Sequence, residues 1–237
     1  MVPRSLFGLK GFTMNYRTII RSDIGLIRKK NEDSATALPL NFGHGGLFAM
    51  VADGAGGHVG GETASRIAIE TCKEMILNDQ GRQNPETLMQ TILSHANQAI
   101  LDQQKCELLR NHMGTTATAL YFIDDRVCLG HVGDSRAYLW RDHELFQWTT
   151  DHRFSRHILT RALGLKAVEF DISTHQVLTQ DRYLLCSDGL HELVSHAMMS
   201  YLIGSLPLVE AAEAMLGGAL EAGGKDNITL VLVETSG

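Results

Sequence analysis

Four short β-rich segments in a row limit the fold of this chain more than any other feature. "TTATALYFI", "RVCLGHVGD", "SRAYLWRD" and "ELFQWTT" follow one another between Thr115 and Thr150. "DD" (Asp124, Asp125), "GDS" and "RDHE" separate them, and such turn residues predict consecutive hairpins. A meander of this kind does not fit an alternating strand–helix array. Before it, "YRTIIRSDIG" and "GGLFAMVAD" predict strands, the second apolar on both faces and therefore buried. Residues 61–78 and "NPETLMQTILSHANQAILDQQKCELL" predict helices, the latter with Asn84 as N-cap and Pro85 in the first position. After it come strands in "AVEFDISTHQVL" and "DRYLLCSDG", a helix in "PLVEAAEAMLGGALEAG" and a closing strand in "NITLVLVE". The order predicts an α+β fold in which helices cover the outer faces of β-sheets.

Composition narrows the function classes. At 237 residues with 44% hydrophobic and 20% charged side chains, the chain suits one globular domain. A formal net charge of −6 and no Lys/Arg block speak against nucleic acid or an anionic membrane as partner. Cys72, Cys106, Cys128 and Cys186 show no CxxC spacing, which predicts free thiols in a reducing, cytoplasmic setting. No apolar run approaches the roughly 20 residues of a membrane span. The opening "MVPRSLFGLKGFT" is expected to be an extension or vector remnant, with Met14 as the start, so residues 1–13 are set aside.

The chemistry lies where aspartates interrupt apolar strands. Asp53 ends "LFAMVAD", Asp134 ends "VCLGHVGD", Asp188 ends "YLLCSD", and Asp226 precedes "NITLVLV"; Glu32 and Asp33 precede another short apolar segment. A carboxylate at a buried strand end is costly unless a cation faces it. Arg28, Arg136 and Lys225 are the cations the sequence offers nearby. A divalent cation resolves the remaining repulsion, and oxygen-only donors select Mg²⁺ or Mn²⁺ over zinc. Each acid taken singly is more simply a turn residue; acids at five such places in the chain argue for a shared site.

"GLIRKKNEDS", "VADGAGGHVGGE", "GTTATAL", "GHVGDSRAYL", "TTDH", "LTRALG", "LLCSDGLHE" and "GGKDNITLVLV" stand in one order. With them the chain resembles the protein phosphatase 2C (PP2C, PPM) family of metal-dependent Ser/Thr phosphatases, in its compact bacterial form, from about Tyr16 to Glu234. The resemblance implies a single domain over 14–237 with a PP2C-like α/β/β/α sandwich, two antiparallel sheets flanked by pairs of helices. It implies two Mn²⁺ or Mg²⁺ ions bridged by Asp53. Asp188 and Asp226 complete one ion's protein ligands; Glu32 and the Gly54 carbonyl serve the other. Asp33 holds metal-bound water, and Arg28 grips the substrate phosphate. Asp134 and Asp188 match the ligands of a weaker third ion in bacterial members. The implied reaction is hydrolysis of phosphoserine and phosphothreonine on proteins by a metal-bridging hydroxide, by a monomer opposing a Ser/Thr kinase in bacterial signalling.

The residues fit that chemistry on their own account. Two ions sharing a water lower its pKa, and a planar guanidinium engages two phosphate oxygens. No cysteine has the arginine six residues on that a cysteine-based phosphatase loop needs. The chain departs from the family at Ala55, where a His or Met is common, which removes one proton donor for the leaving group; His58, three residues on, reads as a polar loop residue before a helix rather than as its replacement. The flap between "TTDH" and "TRALG" shrinks to Arg153–Leu159, which predicts a more open site and weak third-ion binding. Asp134 then has two readings, ion ligand or turn tether.

Other motifs fail on spacing. His191 and His196 are five apart, not the HExxH spacing of a zinc helix. "GAGGHVG" has Val59 where a dinucleotide loop needs its third glycine, and Asp226 follows Lys225 where a P-loop needs Ser or Thr. Arg136 is expected to hold the Asp134 turn, and Cys186 and Met50 to be core. Two rival classes are a non-catalytic phosphoprotein-binding member of the same fold and a nucleotide-binding α/β enzyme. The first requires a lost ligand; the second requires βαβ units in place of the meander.

Overall fold

A computed structural model describes residues 14–42, 45–55, 60–106, 113–155 and 158–237. The chain runs β1 (Asn15–Asp23), β2 (Asp33–Leu40), β3 (Gly46–Ala55), α1 (Gly61–Asp79), α2 (Pro85–Cys106), β4 (Gly114–Thr115), β5 (Ala117–Ile123) and β6 (Arg126–Val132). It continues through β7 (Arg136–Arg141), β8 (Glu144–Gln147), β9 (Arg153–Ser155), β10 (Ile158–Leu159), β11 (Asp171–Gln176) and β12 (Arg182–Cys186). It closes with α3 (Asp188–His191), α4 (His196–Ser205), α5 (Leu208–Glu221) and β13 (Ile228–Ser236).

One sheet has the order β1-β13-β12-β7-β8, the other β11-β6-β5-β3-β2 with β4 paired to β3, and the pairings are antiparallel. Strand alternation builds three layers of core. Leu47, Ala49 and Val51 of β3 meet Leu139, Tyr183, Val231 and Val233 of the facing sheet. The alternate residues Phe48, Met50 and Ala52 pack under α1 and α2 with Ala64, Ala68, Leu88 and Ile92. On the opposite side Tyr138, Leu184, Leu230 and Leu232 pack under α4 and α5 with Ile203, Ala212 and Met215. Each fully buried Leu or Phe contributes roughly 1.5–3 kcal/mol. The resulting helix–sheet–sheet–helix sandwich matches the expected architecture, and Met50 and Cys186 lie in its core. The four cysteines are free thiols, only Cys106 of them exposed.

Asn84 caps α2 as expected, its Oδ1 accepting from the Glu86 and Thr87 amides at 3.0 and 3.3 Å. The meander differs from expectation at one turn. "DD" and "RDHE" do close hairpins, with positive φ at Asp124, Asp142 and His143. "GDS" does not: β6 belongs to one sheet and β7 to the other, so Gly133–Ser135 crosses between them. Gly133 adopts φ 107° with its Cα against the Thr116 side chain, a position for which a Cβ leaves no room. The shortened flap forms a two-stranded ribbon of β9 and β10 that leaves Phe154 83% exposed. Helix α4 escaped the sequence pattern because "HAMMSYLIGS" is apolar on several faces; Met199 and Ile203 are buried while Met198 and Tyr201 are exposed. No helix among the described residues is long and apolar enough to cross a membrane.

Candidate active site

The acids gather at one end of the sandwich, where the two sheets meet. Asp33 opens β2 and stands directly across from Asp53 of β3. Like charges in that position repel, so the backbone must hold them in place. The Asp53 amide donates to Thr116 Oγ1 at 2.9 Å, and its carbonyl accepts from the Thr116 amide and from Thr115 Oγ1, each at 2.9 Å. Ser187, at the end of β12, donates through Oγ to Asp33 Oδ2 at 2.8 Å while accepting from the Thr229 amide at 3.0 Å. That hydroxyl ties one sheet to the other. Asp188 follows it in the first position of α3.

Asp226 and Asn227 organise the other side. Asn227 is 4% exposed and makes three bonds with one amide. Its Oδ1 accepts from the Glu32 amide at 2.8 Å, and its Nδ2 donates to the Ile24 and Lys30 carbonyls, each at 2.9 Å. The 24–32 loop, which carries Arg28 and Glu32, is thus fastened to the start of β13. Arg28 Nη2 lies 2.6 Å from Asp226 Oδ2, with 48% of the side chain exposed at the mouth of the site.

Glu32 and Gly54 converge on a shared space. Gly61, the first residue of α1, has no side chain, and a Cβ there would stand 2.7 Å from the Gly54 carbonyl oxygen and 2.9 Å from Glu32 Oε1. A Cβ on Gly54 would in turn meet the Gly61 carbonyl and, at 2.6 Å, the Glu32 carbonyl. The two glycines therefore hold a cradle whose donors are one carboxylate and one carbonyl, hard oxygens of the kind Mg²⁺ and Mn²⁺ prefer. Beside it, Asp33 Oδ1 is buried and has no hydrogen-bond partner. An orphaned buried acceptor is costly unless a cation or ordered water faces it.

Electrostatics agree with the geometry. Removal from water pushes the Asp53 carboxyl well above the usual range, and the charges of Asp33, Asp188, Asp134 and Asp226 push it further. Asp188 is pushed up to about 7 by burial first, then by Asp134 and Asp226. Asp33 rises to about 6 by burial, against hydrogen bonds from Thr229 and Ser187 that favour its charged form. Carboxylates held in this state bind a divalent cation in place of protons. Among the described residues no three of these side chains close into a finished ion cage. Arg28 is paired with Asp226, and Arg153 faces Asp134. The two donors that meet at Gly61, Glu32 Oε1 and the Gly54 carbonyl, fit a hard divalent ion.

The remaining sequence expectations divide. Asp134 lies at the crossover between the sheets and is buried, with the others in electrostatic reach. Arg136 does not hold the Asp134 turn as expected. It forms a bidentate pair with Asp151, 2.8 Å through both Nε and Nη2, because β7 runs beside the "TTDH" segment. His191 instead donates through Nε2 to the Asp134 carbonyl at 2.9 Å. His196 starts a different helix and reaches the Leu145 carbonyl at 3.0 Å, so the two histidines share no site. Lys225 is exposed. His58, Gly56, Gly57 and Val59 lie outside the described residues. Sequence reasoning missed Ser187 and Asn227, although each adjoins an acid, in "SD" and "DN". It also missed Thr116, His191 and Arg153, which only the fold brings to the acids.

Comparison with known proteins places this geometry in a family. The family model described as protein phosphatase 2C matches residues 29–221. The serine/threonine protein phosphatase PstP of Mycobacterium tuberculosis is 35% identical over 241 residues, covering 94% of this chain and 45% of that protein. The chain thus spans less than half the length of that relative. The serine/threonine phosphatase stp of Listeria monocytogenes is 34% identical over 251 residues, covering 90% of this chain and 94% of that protein. The crystal structure of the PstP catalytic domain in complex with two manganese ions superposes with a TM-score of 0.87 at 34% identity, over 95% of this chain and 100% of that one. With the family model covering most of the chain, and the Listeria relative matched over nearly its whole length, the chain belongs to the protein phosphatase 2C family.

Proposed function

We propose that residues 14–237 form one catalytic domain that hydrolyses phosphoserine and phosphothreonine on proteins, using Mn²⁺ or Mg²⁺, in the cytoplasm and in opposition to a Ser/Thr kinase. The observation that supports this most is the cradle between Glu32 Oε1 and the Gly54 carbonyl at Gly61, with Asp33 Oδ1 unpartnered beside it and Arg28 at the mouth. Glu32 and the Gly54 carbonyl would hold one ion, Asp188 and Asp226 the other, and Asp53 would serve both. When bound, the ions supply an acidified water and neutralise charge on phosphoryl oxygens.

The chain's own residues supply orientation and charge. Arg28 commits Nη2 to Asp226, and its half-exposed guanidinium presents the rest of its fork toward an incoming phosphate dianion. The field of Arg28 also faces Glu32 and Asp53, so the mouth is positive where the floor is negative. Asp33, oriented by Ser187, has its buried Oδ1 unpartnered and so placed to accept a hydrogen bond from a water held at the site. Asn227 fixes the distance between the phosphate grip and the floor by holding the Arg28–Glu32 loop. Ala55 offers no titratable group to the leaving oxygen, so the serine or threonine alkoxide takes its proton from water or another group.

The test is hydrolysis of an aryl phosphate and of a phosphoserine peptide with and without Mn²⁺. Turnover is expected only with the ion, and it is lost on chelation and in Asp53→Asn. Undiminished turnover in EDTA refutes the mechanism. Metal-dependent peptide binding without turnover would favour the non-catalytic reading instead.

A further inference from the structure

The third-ion corner of the site carries its own cation. Asp134 is 5% exposed, and a carboxylate so placed requires a positive partner. Arg153 stands next to it. Its Nη1 lies 3.7 Å from Asp134 Oδ2 and 2.9 Å from Glu192 Oε1, and its Nε lies 3.2 Å from Asp151 Oδ2. Three carboxylates thus surround one guanidinium that is only 24% exposed.

The side chain is held there by the local fold. Asp151 is itself clamped by the bidentate Arg136 pair. Arg153 opens β9 two residues later, and the β9–β10 ribbon is what remains of the flap. His191 fixes the Asp134 backbone from the other side through its carbonyl.

A divalent ion bonded to Asp134 Oδ2 at about 2 Å would lie within about 6 Å of the guanidinium. Like charges at such a separation in a partly buried site repel strongly. Arginine does not relieve this by losing its proton. The Asp134 corner therefore does not fit a third ion as the residues stand.

We propose that Arg153 is the built-in cation of the Asp134 corner and takes the place of a third metal ion, so that the centre operates with two. The inference rests on the metal-dependent reading above. It gives the short ribbon a role: it delivers a fixed charge in place of a mobile one. Arg153 acts through Asp134 and is a positioning residue.

Counting bound ions tests it without reference to turnover. Mn²⁺ is titrated onto the whole chain by equilibrium dialysis, with free ion read from its electron paramagnetic resonance signal. The wild-type chain is expected to saturate at two equivalents through the millimolar range, and Arg153→Lys likewise. Arg153→Gln is expected to bind a third equivalent with an affinity roughly tenfold or more above that of wild type. Adding Asp134→Asn to Arg153→Gln is expected to abolish the gain. A third equivalent on the wild-type chain overturns the proposal, and this measurement needs no variant. A folded Arg153→Gln protein that stays at two overturns it too. No tight equivalent on any of these proteins overturns the metal-dependent reading along with it, so the two failures are distinguishable.

Discussion

Gly61→Ala is the sharpest perturbation of the cradle. The residue opens α1, and alanine in place of glycine in a helix ordinarily gains up to about 1 kcal/mol. Here the added Cβ would stand 2.7 Å from the Gly54 oxygen, 2.8 Å from the Gly54 carbonyl carbon and 2.9 Å from Glu32 Oε1. All three are below the 3.0 Å that real Cβ atoms respect, and two of the atoms are backbone. Overpacking of this kind costs roughly 1–3 kcal/mol. Set against the full helix gain, the net expectation is a loss of about 0–2 kcal/mol, or a Tm lower by up to roughly 8 °C for a chain of this length. The larger effect falls on the ion. The two atoms that must move are the two donors of the cradle, so Mn²⁺ affinity at the site they form is expected to fall roughly 10- to 100-fold. Gly217→Ala in α5 is the control, because a Cβ there meets nothing within 4 Å. It is expected to raise Tm slightly and leave Mn²⁺ binding alone. Thermal melts and Mn²⁺ titrations of the two variants side by side decide the matter. If Gly61→Ala matches Gly217→Ala in both, the cradle is not a donor site and the steric argument is wrong.

Two further expectations concern the supports and the acids. Asn227→Ala removes three hydrogen bonds from a buried amide and is expected to cost about 1–3 kcal/mol. Mn²⁺ affinity should weaken with it because Glu32 is released; a melt and a titration check both, and an unchanged titration would show that Glu32 needs no fastening. Asp188→Asn in the metal-free chain tests the raised carboxyl. A folded pKa above the unfolded one gives stability that is complete below about pH 4 and lost as pH rises through about 7. The asparagine variant should therefore match wild type near pH 4 and exceed it near pH 8, by at most about 4 kcal/mol. Denaturant melts across that range in EDTA measure the difference, and a gap that does not widen with pH would remove the electrostatic account of the site.

Much of the site was legible because its physics is local. An apolar strand that stops at an acid, as at Asp53 or Asp188, announces a buried carboxylate, and the element order around the meander announces sheets covered by helices. Where one turn chemistry serves two topologies, the sequence was silent. "GDS" has the residues of a hairpin yet crosses between sheets, because nothing in Gly133, Asp134 or Ser135 says which sheet receives β7. The cation of Asp134 was misassigned for a similar reason. Arg136 is nearer in sequence, but β7 turns it toward Asp151, and Arg153 arrives from the ribbon. Gly61 reads as a helix start, which it is; its contact with Glu32 and Gly54 depends on three segments meeting.

The hydroxyl of Ser187 crosses from one sheet to Asp33 on the other, and the acids divide along the same line. Glu32, Asp33, Asp53 and Gly54 attend β2 and β3; Asp188 and Asp226 attend β12 and β13. A ligand held by both groups exists only while the two sheets are docked, so ion occupancy and the slippage of one sheet against the other are thermodynamically linked. Substitutions deep in the intersheet layer, at Leu120 or Val231, would then read out as changes in how much cation the chain retains.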